Sequence, residues 1–351
     1  MTASAADPPM TERKSLMWEA LDRLAHRRDL REVEARRAMT SVMRGEASPL
    51  QVAGLAMGMA GKGVTAAELT ALVRTVREFS APFPGPSEVL DTCGTGGDGH
   101  GTFNISSTAA VVAAACGVPV AKHGSRSVSS RCGSADVLEA LGVNVDLPPR
   151  AAARCLEEAG ITFLSATVFH PAFKHAMGPI RELGVRTVFN LLGPLCNPAQ
   201  AQYQIIGVPD EDAFELLADA LELLGAAHVM VFCPQDGLDE LSTSAPARVA
   251  ETREGRTRRY VLDPAALGLA AAAPGSLTGG TPEQNADLTR RVLAGERGPR
   301  RDIVLLNTAA ALRMAGRHED WGRAMARAAE AIDDGTAHDV LDRWVRVSQA
   351  R

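Results

Sequence analysis

The residues best suited to chemistry form one short stretch, Asp91-Thr92-Cys93-Gly94-Thr95-Gly96-Gly97-Asp98-Gly99. Glycines let backbone N–H groups approach an anion closely, and a helix that opens nearby adds its partial positive charge. The hydroxyls and amide of Thr102, Asn104, Ser106 and Ser107 follow at once. Gly94, Gly96 and Gly99 satisfy G-x-G-x-x-G, the dinucleotide fingerprint. The helix signal, however, starts later, near Asn104. The ribose-binding acid expected roughly 20 residues on is missing from Val118 to Lys122. No Gly-Lys-Ser/Thr follows either, so the loop reads as a phosphate cradle outside the Rossmann and Walker classes.

Two further clusters stand where other strands should end. Lys122-His123-Gly124-Ser125-Arg126 is followed by Ser127, Ser129, Ser130 and Ser134. Asp236-Gly237-Leu238-Asp239-Glu240 follows the apolar run His228 to Cys233. Adjacent carboxylates repel each other unless a cation lies between them, and Mg²⁺ suits such oxygen donors together with a polyphosphate. The three clusters together point to a strongly anionic ligand with two phosphate centres and Mg²⁺.

The elements that must position these clusters follow from the pattern. Residues 11 to 81 read as helices. Ser48-Pro49-Leu50-Gln51 and Thr65-Ala66-Ala67-Glu68 are capping boxes, and Pro82, Pro84 and Pro86 form a linker. From residue 88, short apolar runs alternate with helical stretches. The expected strands include Val89-Leu90, Val118 to Val120, Val143 to Val145, Tyr203 to Val208 and His228 to Cys233. This is the rhythm of a mostly parallel sheet covered by helices, whose ligands sit beyond the carboxyl ends of strands. A surface hairpin is expected around Thr252 to Val261, and helices return over 281 to 351. We expect an α/β protein with a helical domain at 1–82, onto which roughly 171–192 packs back, and an α/β domain at 83–351.

Composition narrows the class. The chain has 351 residues, 46% apolar and 23% charged, which is ordinary for a globular protein. Net charge is −5 and aromatics are 4%, which disfavours nucleic-acid partners. No apolar run reaches a membrane span. Met1 to Met10 lacks a basic start and apolar core, so a cytoplasmic location is expected. The six cysteines show no metal-ligand spacing and read as reduced, buried thiols.

Gly94-Thr95-Gly96-Gly97-Asp98, Asn104-Ile105-Ser106-Ser107, Lys122-His123-Gly124, Gly133-Ser134-Ala135-Asp136, Asn190-Leu191-Leu192-Gly193-Pro194 with Asn197-Pro198, and Asp239-Glu240 resemble the anthranilate phosphoribosyltransferase family in order, over roughly residues 15 to 348. The resemblance implies a homodimer formed through the N-terminal helices. It also implies Mg²⁺-dependent use of phosphoribosyl pyrophosphate (PRPP). By resemblance, Gly94, Gly97, Asp98, Thr102, Asn104, Ile105, Ser106, Ser107, Lys122, Ser130 and Ser134 bind PRPP. Ser106, Asp239 and Glu240 hold the metal, and Lys122, Asp98 and His123 are the catalytic candidates. Gly94, His123, Ser125, Phe173, Ile180 and Arg181 are assigned to the acceptor.

Two positions depart from the family pattern. Ser125 stands where the family has an Asn against the acceptor. Ile180 stands where it has an Arg that meets the acceptor carboxylate, and Arg181 is the next residue. A lost charge-assisted bond is worth about 1.5–3 kcal/mol. Two functions therefore stay open at this point: transfer to anthranilate, and transfer to another acceptor such as a polar amine or aminoglycoside. A non-catalytic nucleic-acid-binding paralogue is a third, disfavoured by the intact motifs and the charge.

Overall fold

A computed structural model describes residues 10–127 and 131–350. Along the chain run α1 (Met10–Ala25), α2 (Glu32–Met43), α3 (Pro49–Lys62), α4 (Ala66–Glu78), β1 (Leu90–Gly94), α5 (Ile105–Ala115), β2 (Val120–Gly124), α6 (Ser134–Ala140), α7 (Pro149–Ala159), β3 (Ile161–Ser165), α8 (Ala166–Phe169), α9 (Lys174–Leu183), α10 (Phe189–Leu195), β4 (Tyr203–Gly207), α11 (Glu211–Leu223), β5 (His228–Pro234), β6 (Ala247–Arg253), β7 (Arg256–Leu262), α12 (Pro282–Leu293), α13 (Pro299–Met314), α14 (Trp321–Asp333) and α15 (Thr336–Gln349). Two units emerge, Met1–Ser80 with His170–Leu192, and Ala81–Phe169 with Gly193–Arg351.

The first unit is helical. Ser48 and Thr65 cap α3 and α4, and Gln51 and Glu68 reach back to the cap N–H groups. Gly54 and Gly58 let α3 lie close on α1, since a Cβ at Gly58 would come 2.9 Å from Leu24 Cβ. Glu68 is wholly buried. It accepts Leu30 N–H at 2.7 Å and pairs with Lys62 at 2.9 Å, which compensates its charge. α9 packs on α2 and α3 with Ala176 and Ile180 on its buried face.

The second unit is built on a seven-stranded sheet of order β3-β2-β1-β4-β5-β6-β7. The strands β1 to β5 are parallel, and β6 and β7 close the edge as an antiparallel hairpin. Its turn, Glu254-Gly255, takes positive φ at both residues, 49° and 74°, as a tight two-residue hairpin requires. The chain runs β1, β2, β3 in one direction and then returns to place β4 on the other side of β1. That makes β1/β4 the switch point, where open α/β sheets leave a crevice for ligand. α5 is apolar on all sides and is buried against β1, β2, α13, α14 and α15.

Val143–Val145 is not a strand. Val143 N–H goes to Leu138 O at 2.9 Å and Asn144 N–H to Ser348 Oγ at 3.0 Å. Local turn bonds and a side chain of α15 use the donors that a ladder would need. The six cysteines are all free. Among the described residues, no helix is long and apolar enough to cross a membrane.

Candidate active site at the carboxyl ends of β1, β2 and β4

Three strands end in glycine because another segment takes the space of a side chain. Gly94 and Gly207 are register partners on β1 and β4. A Cβ on Gly94 would strike the Asp239 carboxylate, and one on Gly207 would strike the Asp239 carbonyl. At Gly124, ending β2, it would strike the Ser134 hydroxyl. After β1 the loop keeps turning through left-handed residues, with φ of 76° at Gly96 and Gly97, 74° at Gly99 and 61° at Gly101. Only glycine adopts these freely. Gly96 N–H donates to Asp239 Oδ2 at 2.7 Å, so the loop closes on that carboxylate.

α5 aims its N-terminus at the same place. Thr92 Oγ1 donates to Ser106 O at 3.0 Å, seating the first turn on β1. Ile105 and Ser107 are buried in that turn. Ser106 N–H donates to Glu240 Oε1 at 3.0 Å, and the Ser106 hydroxyl bonds the same carboxylate. A carboxylate thus lies on the anion-favouring end of the helix. Asn104, at the N-cap, is held by Asn285 Nδ2 at 2.9 Å and donates to Cys132 O at 3.3 Å. Asn285 carried no sequence signal, because it sits 181 residues away on α12.

The acidic side of the site is short of positive charge. Asp239 lies beside Glu240 and Asp98. Burial, then these two negative neighbours, push its carboxyl well above the ordinary range. Burial pushes Glu240 up to about 7, opposed by Ser106 and Lys122. Asp98 Oδ1 accepts His100 N–H at 3.2 Å, while Asp98 Oδ2 and Thr95 Oγ1 are buried with no hydrogen-bond partner. No three His, Cys, Asp or Glu side chains close on one metal position among the described residues. Oxygen donors, surplus negative charge and orphaned buried oxygens fit a hard divalent cation such as Mg²⁺, which keeps open positions for water and phosphate.

Lys122, on β2, is buried, and its ammonium donates to Thr92 O and, at 3.5 Å, to Ser106 Oγ. His123 is buried beside it. Burial, helped by Lys122, lowers its pKa to about 4, so its ring is neutral at pH 7. Its Nδ1 meets Gly193 O at 3.0 Å, and since a carbonyl only accepts, Nδ1 carries the proton. Under both lies Asp91, fully buried on β1. Its oxygens accept His123 N–H at 3.1 Å, Gln204 Nε2 at 3.5 Å and the Asn197 side chain. The sequence offered only one hint of this, a charged residue inside an apolar strand.

The remaining expected residues are placed as follows. Thr102 bridges Thr278 and lines a cleft of about 160 Å³ with His100, Asp236 and Ser242. Gly97 is exposed on the loop. Ser134 opens α6 and donates to Ser125 O at 3.4 Å. Ser125 is exposed and donates to Arg126 O at 3.1 Å. Arg126 is engaged by Glu139, Asp146 and Asp136 at 2.6, 3.4 and 3.6 Å, so it adds little free positive charge. Asp136 Oδ2 also accepts Ser127 and Gly133 N–H, clasping both ends of the serine-rich loop. Ser130 lies outside the described residues. In the helical unit, Phe173 sets its ring edge-on to His170 at 6.0 Å. Ile180 is buried, and Arg181 is exposed on another face of α9.

Residues 86–338 match the model of the glycosyl transferase family α/β domain, and residues 19–80 match that family's helical bundle domain. The chain is 55% identical over 325 residues to anthranilate phosphoribosyltransferase 2 of Streptomyces coelicolor, covering 92% of this chain and 97% of that one. It is 50% identical over 317 residues to the anthranilate phosphoribosyltransferase of Moorella thermoacetica, covering 90% and 94%. The crystal structure of the Thermus thermophilus enzyme superposes with a TM-score of 0.88 at 44% identity, covering 94% of this chain and 99% of that one. At 24% identity, the fold is shared with the Saccharomyces cerevisiae enzyme in complex with PRPP and Mg, with a TM-score of 0.88 and coverage of 95% and 98%. By its helical and α/β domains and by this likeness along nearly its full length, the chain belongs to the anthranilate phosphoribosyltransferase family of pentosyltransferases.

Proposed function

We propose that this protein transfers the 5-phosphoribosyl group of PRPP to anthranilate, with release of pyrophosphate, in tryptophan biosynthesis. The observation that carries the reading is the pairing of the α5 N-terminus and Lys122 with the Asp98, Asp239 and Glu240 carboxylates at the β1/β4 switch point. One side of that arrangement suits phosphate and the other suits a cation. The identity to curated anthranilate enzymes supports the acceptor. Ser125 and Ile180 suggested a different acceptor, but no relative named above supports one.

In this reading the bond from ribose C1 to the pyrophosphate oxygen breaks as the anthranilate nitrogen bonds to C1, and the nitrogen then gives up one proton to the departing pyrophosphate or to water. The transition state gains oxocarbenium character, and the leaving group takes the electron pair. Mg²⁺, held by Asp239, Glu240 and Ser106, would neutralise the pyrophosphate charge. Lys122 and the Ser107 end of α5 bind phosphate oxygens. Gly94, Gly97, Asp98, Thr102, Asn104 and Ile105 shape the PRPP pocket, with Ser130 and Ser134 from the serine-rich loop. An aromatic amine is a free nucleophile, so a neutral His123 meets the requirement, with Nε2 as an acceptor rather than a strong base. We assign Gly94, His123 and Ser125 of the α/β unit to the acceptor's surroundings, and the homodimer to the helical unit. The test is loss of anthranilate fluorescence on mixing with PRPP and Mg²⁺. No loss, with pyrophosphate released on another amine, would overturn the acceptor.

A further inference from the structure

Asp91 takes no part in the chemistry above, yet its carboxylate is completely buried three residues before Gly94. A buried carboxylate is strongly disfavoured unless charge and hydrogen bonds compensate it. Lys122 supplies the charge, and His123 N–H, Gln204 Nε2 and the Asn197 side chain supply the donors. The residues that bear these donors are each tied a second time. Gln204 Nε2 donates to Pro194 O at 3.1 Å, and Asn197 Nδ2 to Ala121 O at 2.8 Å, next to Lys122. The His123 ring donates to Gly193 O, where the chain re-enters the α/β unit. Asp91 therefore holds the backbone at the tip of β2, while Thr92 O holds the Lys122 ammonium and Gly193 O holds the His123 ring.

We propose that Asp91 is a positioning residue for phosphoribosyl transfer, fixing where Lys122 and His123 present their polar atoms. The inference rests on the function proposed above. Asn190-Leu191-Leu192-Gly193-Pro194 and Asn197-Pro198, which the chemistry left without a role, gain one here: Gly193, Pro194 and Asn197 complete the support. A small misplacement of a charge-stabilising group lowers turnover steeply while leaving ground-state binding nearly intact.

The test compares Asp91→Asn with the unsubstituted chain. The amide keeps the volume, removes the charge and turns an acceptor into a donor that faces two donors. In the folded variant, kcat should fall about tenfold or more, while KM for PRPP and anthranilate changes less than about threefold. A kcat per folded molecule within about twofold of the unsubstituted chain would overturn the proposal. If Asp91→Asn does not fold, Gln204→Leu decides. It should lower kcat about threefold with KM unchanged, and an unaltered kcat would overturn the proposal. No turnover by the unsubstituted chain would refute the functional reading and this inference with it.

Discussion

At the scale of single residues, the site is an argument about charge. Asp239→Asn should cut Mg²⁺-dependent transfer by about a hundredfold, read as pyrophosphate release, because it removes a carboxylate from the cation's donor set. Glu240 has a pKa raised to about 7 from an ordinary 4.5. A carboxylate raised in the folded state contributes stability below its unfolded pKa and loses it as pH rises through the folded one. The metal-free protein should therefore lose melting temperature between pH 5 and 8 through this group. Mg²⁺ should bind more tightly at pH 8 than at pH 6, and calorimetry at the two pH values checks both signs. His123 behaves in the opposite sense. Lowered to about 4, it favours the folded state above pH 6.5 and weakens it as pH falls towards 4. The residue types were legible in the sequence, but their states were not. Nothing local to Asp98, Asp239 and Glu240 tells how deeply each is buried or which carboxylate faces which.

At the scale of elements, the local code was read directly and the non-local code was not. Ser48 with Gln51 and Thr65 with Glu68 are contained in four residues each, and both boxes form as read. Ser48→Ala should lower stability by about 1 kcal/mol in urea unfolding, with activity unchanged. Val143–Val145 misled because β-branched residues signal a strand only if a neighbour offers a ladder. Here Gly142 turns the chain, and α15 takes Asn144 N–H. The seat of Asp239 over β1 and β4 was equally invisible, for it depends on Gly207, over a hundred residues beyond Gly94. Gly207→Ala should displace that seat. We expect a loss of about 1–3 kcal/mol in stability and an Mg²⁺ affinity that falls with it, both measured by thermal shift with and without the cation.

At the scale of the whole molecule, the fold class was legible because the alternation of apolar runs and helices is long, and a parallel sheet leaves few alternatives. The motif order then pointed to the family, which the comparisons bear out. Trp18, Val33, Leu50 and Met57 leave apolar surface on the helices of the first unit. If these helices form the proposed dimer, sedimentation should give a dimer that Trp18→Glu with Leu50→Glu reduces to a monomer.

Among the glycines with ordinary backbone angles two kinds stand out, and mutational tolerance should divide with them. Gly94, Gly124 and Gly207 have ordinary backbone angles but no spare volume. Gly61 and Gly178 have ordinary angles and nothing within 4 Å of a Cβ. In a library of all single substitutions, the first three positions should reject even alanine. The last two should accept it and gain about 0.5–1 kcal/mol in their helices. The chain would then be closed to the smallest change at its active-site rim and open to improvement in α3 and α9.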